Sequence, residues 1–272
     1  MPADSPSRSH GRKAIRPTLR PRELMQDTPE LAGVWTAQVV TLLPGAFPGV
    51  LGESLTGRAL RDRIWQLQVT DLRPFGEGRH RNVDDTPAGG GAGMVLRADI
   101  LGRAIEQVRR GVSPSAPLVA PSPRGRRFTQ AMARDWAARP GVTLVCGRFE
   151  GIDQRALDHY GIEEVSLGDF VLTGGEIAAQ AMLDATVRLL PGVLGNAASV
   201  EEESFSDGLL EHSHYTRPAE WQGRTIPEVL LSGNHAEIAR WRRAEAERLT
   251  RFRRPDLWAA RVANKDADDH GG

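Results

Sequence analysis

From Trp35 onward the chain alternates short β-branched apolar runs with stretches whose apolar residues recur every three or four positions. "WTAQVVTLL" (35–43) and "IWQLQVTDL" (64–72) have the length and the Val, Ile, Thr and Trp content of strands, with a helix predicted between them near Leu51 to Leu60. Beyond a glycine-rich loop, Met94, Ile100, Leu101, Ala104, Ile105 and Val108 share one face of a helix expected over 94–110. "PLVAP" (117–121), "VTLVCG" (142–147) and "EEVSL" (163–167) are three further strands, separated by helical stretches near 126–138 and 152–160. This alternation predicts an α/β fold: a mostly parallel sheet with helices on both faces. Such a sheet binds ligands at the carboxyl ends of its strands. Those positions carry "SPRG" (122–125), "GRFEGID" (147–153) and "GDFVLTGG" (168–175), which are expected to converge on one small-molecule pocket.

A helix follows from Glu176 to about Leu190 and stops at Pro191-Gly192. The small, polar and acidic "GNAASVEEESFSDG" after it reads as a linker. In "NHAEIARWRRAEAERLTRFRRP", Ile238, Trp241, Ala244 or Glu245, and Leu249 fall at helical spacing with arginines on the remaining surface. Residues 1–33 are rich in Pro, Ser and Arg without an apolar period and are expected to be a disordered arm. The resulting division is an arm (1–33), an α/β domain (34–195), a flexible linker (196–207), a small helical C-terminal domain (208–262) and a tail (263–272).

Composition narrows the chemistry. In 272 residues with 40% hydrophobic content there is one cysteine, Cys146, so no internal disulfide can form, and a reducing, cytoplasmic setting is expected. No apolar run is long enough to span a bilayer. The formal net charge is zero, yet lysine occurs only at Lys13 and Lys265, so nearly all positive charge is arginine, suited to bidentate contact with phosphate and guanine edges. Thr173-Gly174-Gly175-Glu176 looks like a phosphate loop but lacks the Lys-Ser or Lys-Thr of a P-loop, and the stretch has no Gly-x-Gly-x-x-Gly, so neither a triphosphate nor a dinucleotide is implied. The paired aspartates Asp84 and Asp85 offer too few oxygens for a hard cation. His212 and His214 have chelating spacing but no third zinc ligand nearby.

Eight segments occur together in order: "TLLPGAFPGVLGESLTGRAL", "VDDTPAGGGAGM", "SPRGRRF", "CGRFEGID", "SLGDFVLTGGE", "RLLPGVLGN", "HYTRP" and "LLSGNHAEIARWR". In order and near spacing they resemble the bacterial tRNA (guanine-N1)-methyltransferases, over roughly residues 35 to 258. The resemblance implies a SPOUT-class α/β methyltransferase whose sheet domain contains a deep trefoil knot. It further implies a homodimer with active sites shared between subunits, S-adenosylmethionine as methyl donor, a Mg2+ requirement without assignable ligands, and tRNA as partner. The implied reaction is methylation of N1 of the guanosine 3′ to the anticodon, position 37 of the tRNA. An RNA 2′-O-ribose methyltransferase of the same class and a non-catalytic RNA-binding protein retaining the fold are the alternatives.

Carried over by position, the resemblance implies cofactor contacts from Ser122, Pro123, Gly147, Glu150, Leu167, Gly168, Asp169, Phe170, Val171, Leu172, Gly174 and Gly175. It implies catalytic roles for Glu203 and Arg188, and substrate contacts from His214 and Asp84. The chain also departs from the family. Thr86 and Ala88 stand where Arg and Tyr are usual, Phe170 replaces a tyrosine, and Glu203 replaces the usual catalytic aspartate.

Overall fold

Strands that are covered on both faces need apolar side chains on both sides, and the two central runs meet that demand. In β1 (Trp35–Thr41) all residues but Thr36 are buried, and in β6 (Gly141–Val145) all are. The computed structural model describes residues 33–110, 113–195, 203–205 and 207–269. The expected arm, apart from Gly33, and most of the expected linker lie outside the described residues.

β1, β2 (Trp65–Asp71), β5 (Leu118–Arg127), β6 and β7 (Glu163–Ser166) form one sheet in the order β2-β1-β6-β5-β7, and every neighbouring pair is parallel. Parallel neighbours require crossovers. These are supplied by α1 (Ser54–Arg61), α2 (Ala98–Arg109), α3 (Gln130–Ala137) and α4 (Gln154–Tyr160), with α5 (Glu176–Val187) following β7. Alternate residues along a strand point to opposite faces, and the core divides accordingly. Trp35, Ala37 and Val39 join Val142, Leu144, Trp136 of α3 and Met182 and Leu183 of α5 on one side. Val40, Leu42 and Val145 join Ile100, Leu101 and Ile105 of α2 and Leu157 of α4 on the other. Helices therefore cover both faces, as the alternating pattern predicts.

Several boundaries differ from the sequence reading. The helix expected over 94–110 begins at Ala98, because Val95–Leu96 forms a two-residue strand, β4, antiparallel to β3 (Asp84–Asp85). The helix expected near 51–60 is a 3-10 turn at Gly49–Gly52 followed by α1. β5 does not stop at Pro121. It pairs with β7 through Val119–Pro121 and again through Arg126–Arg127, so "SPRG" is an irregularity within a strand and not a loop after it, and α3 starts only at Gln130. α5 ends at Val187 and not near Leu190.

Beyond the sheet domain, a short hairpin of β8 (Glu220–Trp221) and β9 (Arg224–Thr225) precedes α6 (His235–Arg253) and α7 (Pro255–Asp269). Asn234 caps α6 by accepting the Glu237 N–H at 3.3 Å. Ile238, Trp241, Glu245 and Leu249 form the covered stripe of α6, with Glu245 rather than Ala244 turned inward. α7 continues through residue 262 to Asp269.

Candidate active site

Because all five strands run the same way, their carboxyl ends share one edge. β6 and β7 deliver their following segments there, beside the irregular stretch within β5. The cavity they enclose has a volume of about 400 Å3, within the range of small-molecule sites. Its walls include Ser122, Pro123, Gly147, Glu150, Leu167, Gly168, Phe170, Val171, Leu172, Gly174 and Gly175, so the structure brings together eleven of the twelve residues that the family resemblance nominates for the cofactor. Asp169 is the twelfth. It faces outward, its carboxylate 3.0 Å from Arg127 Nη2, and does not line the cavity.

The backbone explains the glycines. Gly175 N–H donates to Gly147 O at 2.9 Å, and Arg148 and Gly174 form an antiparallel bridge, so two loops are drawn into contact. A Cβ on Gly174 would collide with the Arg148 guanidinium, and one on Gly93 with the Glu150 carboxylate. Phe149 adopts a left-handed φ of 61°, a conformation that costs an ordinary side chain free energy and is stored most often at functional sites. Glu150 N–H donates to Met94 O at 2.9 Å, which ties the end of the glycine-rich 82–94 loop to the rim. Cys146 lies beneath this floor, and burial, with the Glu176 charge second, pushes its thiol well above the ordinary range, so it is not an available nucleophile.

The cavity fits a methyl donor of the S-adenosylmethionine type. Proline, leucine and phenylalanine walls suit an adenine ring, closely approached glycine backbone offers amide and carbonyl partners, and Glu150 supplies a carboxylate for hydroxyl or cationic groups.

Glu203 and Arg188 lie elsewhere and meet each other. Arg188 follows α5 directly. Its Nη1 donates to Glu203 Oε2 at 2.6 Å while Nη2 donates to Glu203 Oε1, a two-pronged pair with both side chains about one-quarter exposed. The pair holds the Glu203 carboxyl below the usual glutamate range, the Arg188 hydrogen bonds being the largest cause. A second cavity is lined by Gln130, Glu203, Ser204, Phe205, Glu211, His212, His214 and Arg242, and shares no wall residue with the first. His214 Nε2 lies 2.9 Å from Glu211 Oε1, and the His212 and His214 rings are 4.7 Å apart. Asp84 sits in β3, paired with Leu96, outside both cavities.

The segment carrying Glu203 is fastened on its far side. Asp207 accepts from Arg243 Nη1 at 2.6 Å and from Arg261 Nη1 at 3.0 Å, Leu210 N–H donates to Thr250 Oγ1 at 2.8 Å, and Ser213 Oγ donates to Glu245 at 2.9 Å. Sequence reasoning missed Asp207, Arg148 and Glu176. For Glu176 a signal existed: an acidic residue at the first position of a helix, directly after a glycine pair. Among the described residues there is no group of three or more His, Cys, Asp or Glu side chains able to hold a metal ion.

The Glu203 shift has a defined pH consequence. A carboxyl depressed in the folded state contributes stability above its unfolded pKa and loses it as pH falls through the folded one. Carbon-13 NMR of the Glu203 carboxyl should show a midpoint below that of an exposed glutamate, and Arg188→Ala should return it upward; an unchanged midpoint would mean that the ion pair does not persist in solution.

The family model described as tRNA (Guanine-1)-methyltransferase TrmD matches residues 35–260. A protein of Ruegeria pomeroyi named tRNA (guanine-N(1)-)-methyltransferase is 69% identical over 242 residues, 89% of this chain and 100% of that protein. Its namesake from Cereibacter sphaeroides is 69% identical over 241 residues, 88% of this chain and 97% of the relative. The namesake from Nitrobacter winogradskyi is 61% identical over 228 residues, 84% and 95% of the two chains. With the strand-end cavity and the glycine loops in place, and with likeness running through both the sheet domain and the C-terminal helices, this chain belongs to the tRNA (guanine-N1)-methyltransferase family.

Proposed function

We propose that the protein transfers a methyl group from S-adenosylmethionine to N1 of the guanosine 3′ to the anticodon of tRNA. The observation that carries this reading is the convergence of three glycine-bearing segments, one within β5 and one each after β6 and β7, on one cavity in a chain of this family. When bound, S-adenosylmethionine supplies an electrophilic methyl group. Ser122, Pro123, Leu167, Gly168, Phe170, Leu172, Gly174 and Gly175 would hold it, with Glu150 at the rim. The double pairing of β5 with β7 around residues 122–125, together with the Gly147–Gly175 bond, supports the knotted arrangement that the sequence resemblance implies.

Guanine N1 carries a proton and is a poor nucleophile until a base removes it. On its Watson–Crick edge N1–H is a donor and the neighbouring O6 an acceptor. Glu203 and Arg188 present the complement: a carboxylate and a guanidinium held face to face. In the proposed mechanism the guanine edge enters between them, Glu203 takes the N1 proton, and Arg188 stabilises negative charge on O6. Turning Arg188 from Glu203 to O6 also relieves the depression of the carboxyl, so the base strengthens as substrate arrives.

Glu203 and the methyl-donor cavity line different spaces of one chain, which supports a homodimer whose partner completes each site. Exposed Val50, on the 3-10 turn packed against α5, and exposed Ile177 of α5 add apolar surface suited to such an interface. The exposed arginines of α6 are proposed to meet the phosphates of the anticodon stem. We propose no protein ligands for Mg2+. We assign the protein to the cytoplasm on the chemistry of its substrate alone.

Incubating unmodified tRNA transcripts with labelled methyl donor and digesting to nucleosides should yield 1-methylguanosine; ribose methylation or no transfer would replace this reading with one of its alternatives. Glu203→Gln keeps the shape, removes the base, and should slow methyl transfer by about 10²-fold or more while sparing cofactor affinity. Glu203→Asp should remain active, and Gln at Glu201 or Glu202 should stay within about fivefold of the parent, since neither is the assigned base. Normal turnover in Glu203→Gln would move the base elsewhere. Mixing Arg188→Ala chains with chains altered in the methyl-donor cavity should restore activity if the parts come from different subunits; a monomer by light scattering would end the shared-site proposal.

A further inference from the structure

Glu176 is a carboxylate that the mechanism does not use, and it is among the few charged side chains in the interior, with 6% of its side chain exposed. A buried carboxylate is costly unless each oxygen is satisfied, and here each is. Oε1 accepts the Thr41 hydroxyl at 2.8 Å, and Thr41 Oγ1 itself accepts the Leu43 N–H at 2.9 Å. Oε2 accepts Arg148 Nη1 at 3.3 Å. Glu176 also occupies the first turn of α5, where the helix dipole favours a negative charge.

The placement of this cluster joins three segments. Thr41 ends β1, Arg148 belongs to the segment after β6, and Glu176 follows the glycine pair after β7. The Arg148 side chain passes over Gly174, in the space that a Cβ would take, and reaches the carboxylate beyond it. The Gly175–Gly147 backbone bond lies beside it. Arg148, Gly147, Gly174 and Gly175 all line the methyl-donor cavity, whereas Glu176 and Thr41 stand behind its wall.

We propose that Glu176 is a positioning residue: through Arg148 it fixes the spacing of the two glycine segments that form one wall of the methyl-donor cavity, and so sets cofactor affinity without touching the cofactor. The inference rests on the S-adenosylmethionine reading for its functional consequence, but the clamp itself is a property of the unliganded chain. Glu176→Gln is the direct variant, because the amide keeps the volume and an acceptor for Thr41 while removing the charge that holds the guanidinium. Thr41→Val is the milder one, which removes the hydroxyl donor.

Two measurements decide the matter. In the unliganded protein, amide exchange at Gly175 should quicken about tenfold in Glu176→Gln while amides of the sheet centre, at Val39 and Leu144, keep their protection. By calorimetry the same variant should bind S-adenosylmethionine about tenfold more weakly, with kcat at saturating cofactor and KM for tRNA within about threefold of the parent. Thr41→Val should shift exchange and affinity in the same direction by about threefold, and decides the question should Glu176→Gln not fold. Unchanged exchange at Gly175 in a folded variant, or protection lost uniformly across the sheet, overturns the clamp. If the parent protein itself takes up no S-adenosylmethionine, the cofactor reading fails, and the exchange comparison still judges the clamp.

Discussion

A parallel sheet cannot reverse in two residues, and the architecture follows from that. Each strand must be re-entered from the same end, so each connection crosses a face, and every carboxyl end emerges along a single edge. The order β2-β1-β6-β5-β7 then sets β5 between β6 and β7, so the irregular stretch of β5 and the segments leaving β6 and β7 are neighbours whatever their sequences. Close approach does the rest. A Cβ at Gly125 would strike the Glu164 and Val165 backbone and one at Gly141 the backbone of Thr36, so at these two points the backbones come close only because a side chain is missing.

Charge is organised differently at depth and at the surface. With no net charge, many arginines are matched to carboxylates at the surface, among them Arg124 to Glu164, Arg127 to Asp169 and Arg243 to Asp207. Exposed pairs of this kind contribute little to stability, typically under about 1 kcal/mol, and are readily exchanged for a phosphate. The Arg148–Glu176 pair is of another sort. Its carboxylate is removed from water, and loss of its partner would strand a buried charge. Arg188–Glu203 lies between these extremes, part-buried and two-pronged, and it is the pair that the proposed mechanism has the guanine edge displace.

The element pattern was legible for the five-stranded sheet, its crossover helices and α6, and not for the short β3–β4 and β8–β9 pairs, because burial on one or two faces imposes periods of two or 3.6 residues that a local window contains. The helix pattern of α2 and the stripe of α6 were readable for this reason. Misreadings fell where a long-range partner overrides the local pattern. Val95–Leu96 has apolar helical neighbours yet pairs with Asp84–Asp85, and Ser122 to Arg127 looks like a loop running into a helix yet returns to β7. The family was legible because eight ordered motifs span most of the chain, and the candidate cofactor residues followed by position.

By itself, then, the sequence determined the alternation of strands and helices, the apolar faces, the segments after β6 and β7 and the family, all of which are written in short stretches of chain. Only the tertiary structure decided which charges meet. Arg188 and Glu203 are 15 residues apart, Arg148 and Glu176 are 28, and Thr41 and Glu176 are 135. Nothing in local periodicity selects these partners, because a charged side chain satisfies the helix or strand pattern equally well with any counter-ion or with water. The choice is made when the crossovers bring distant segments to the same edge and burial removes the water that would otherwise compete.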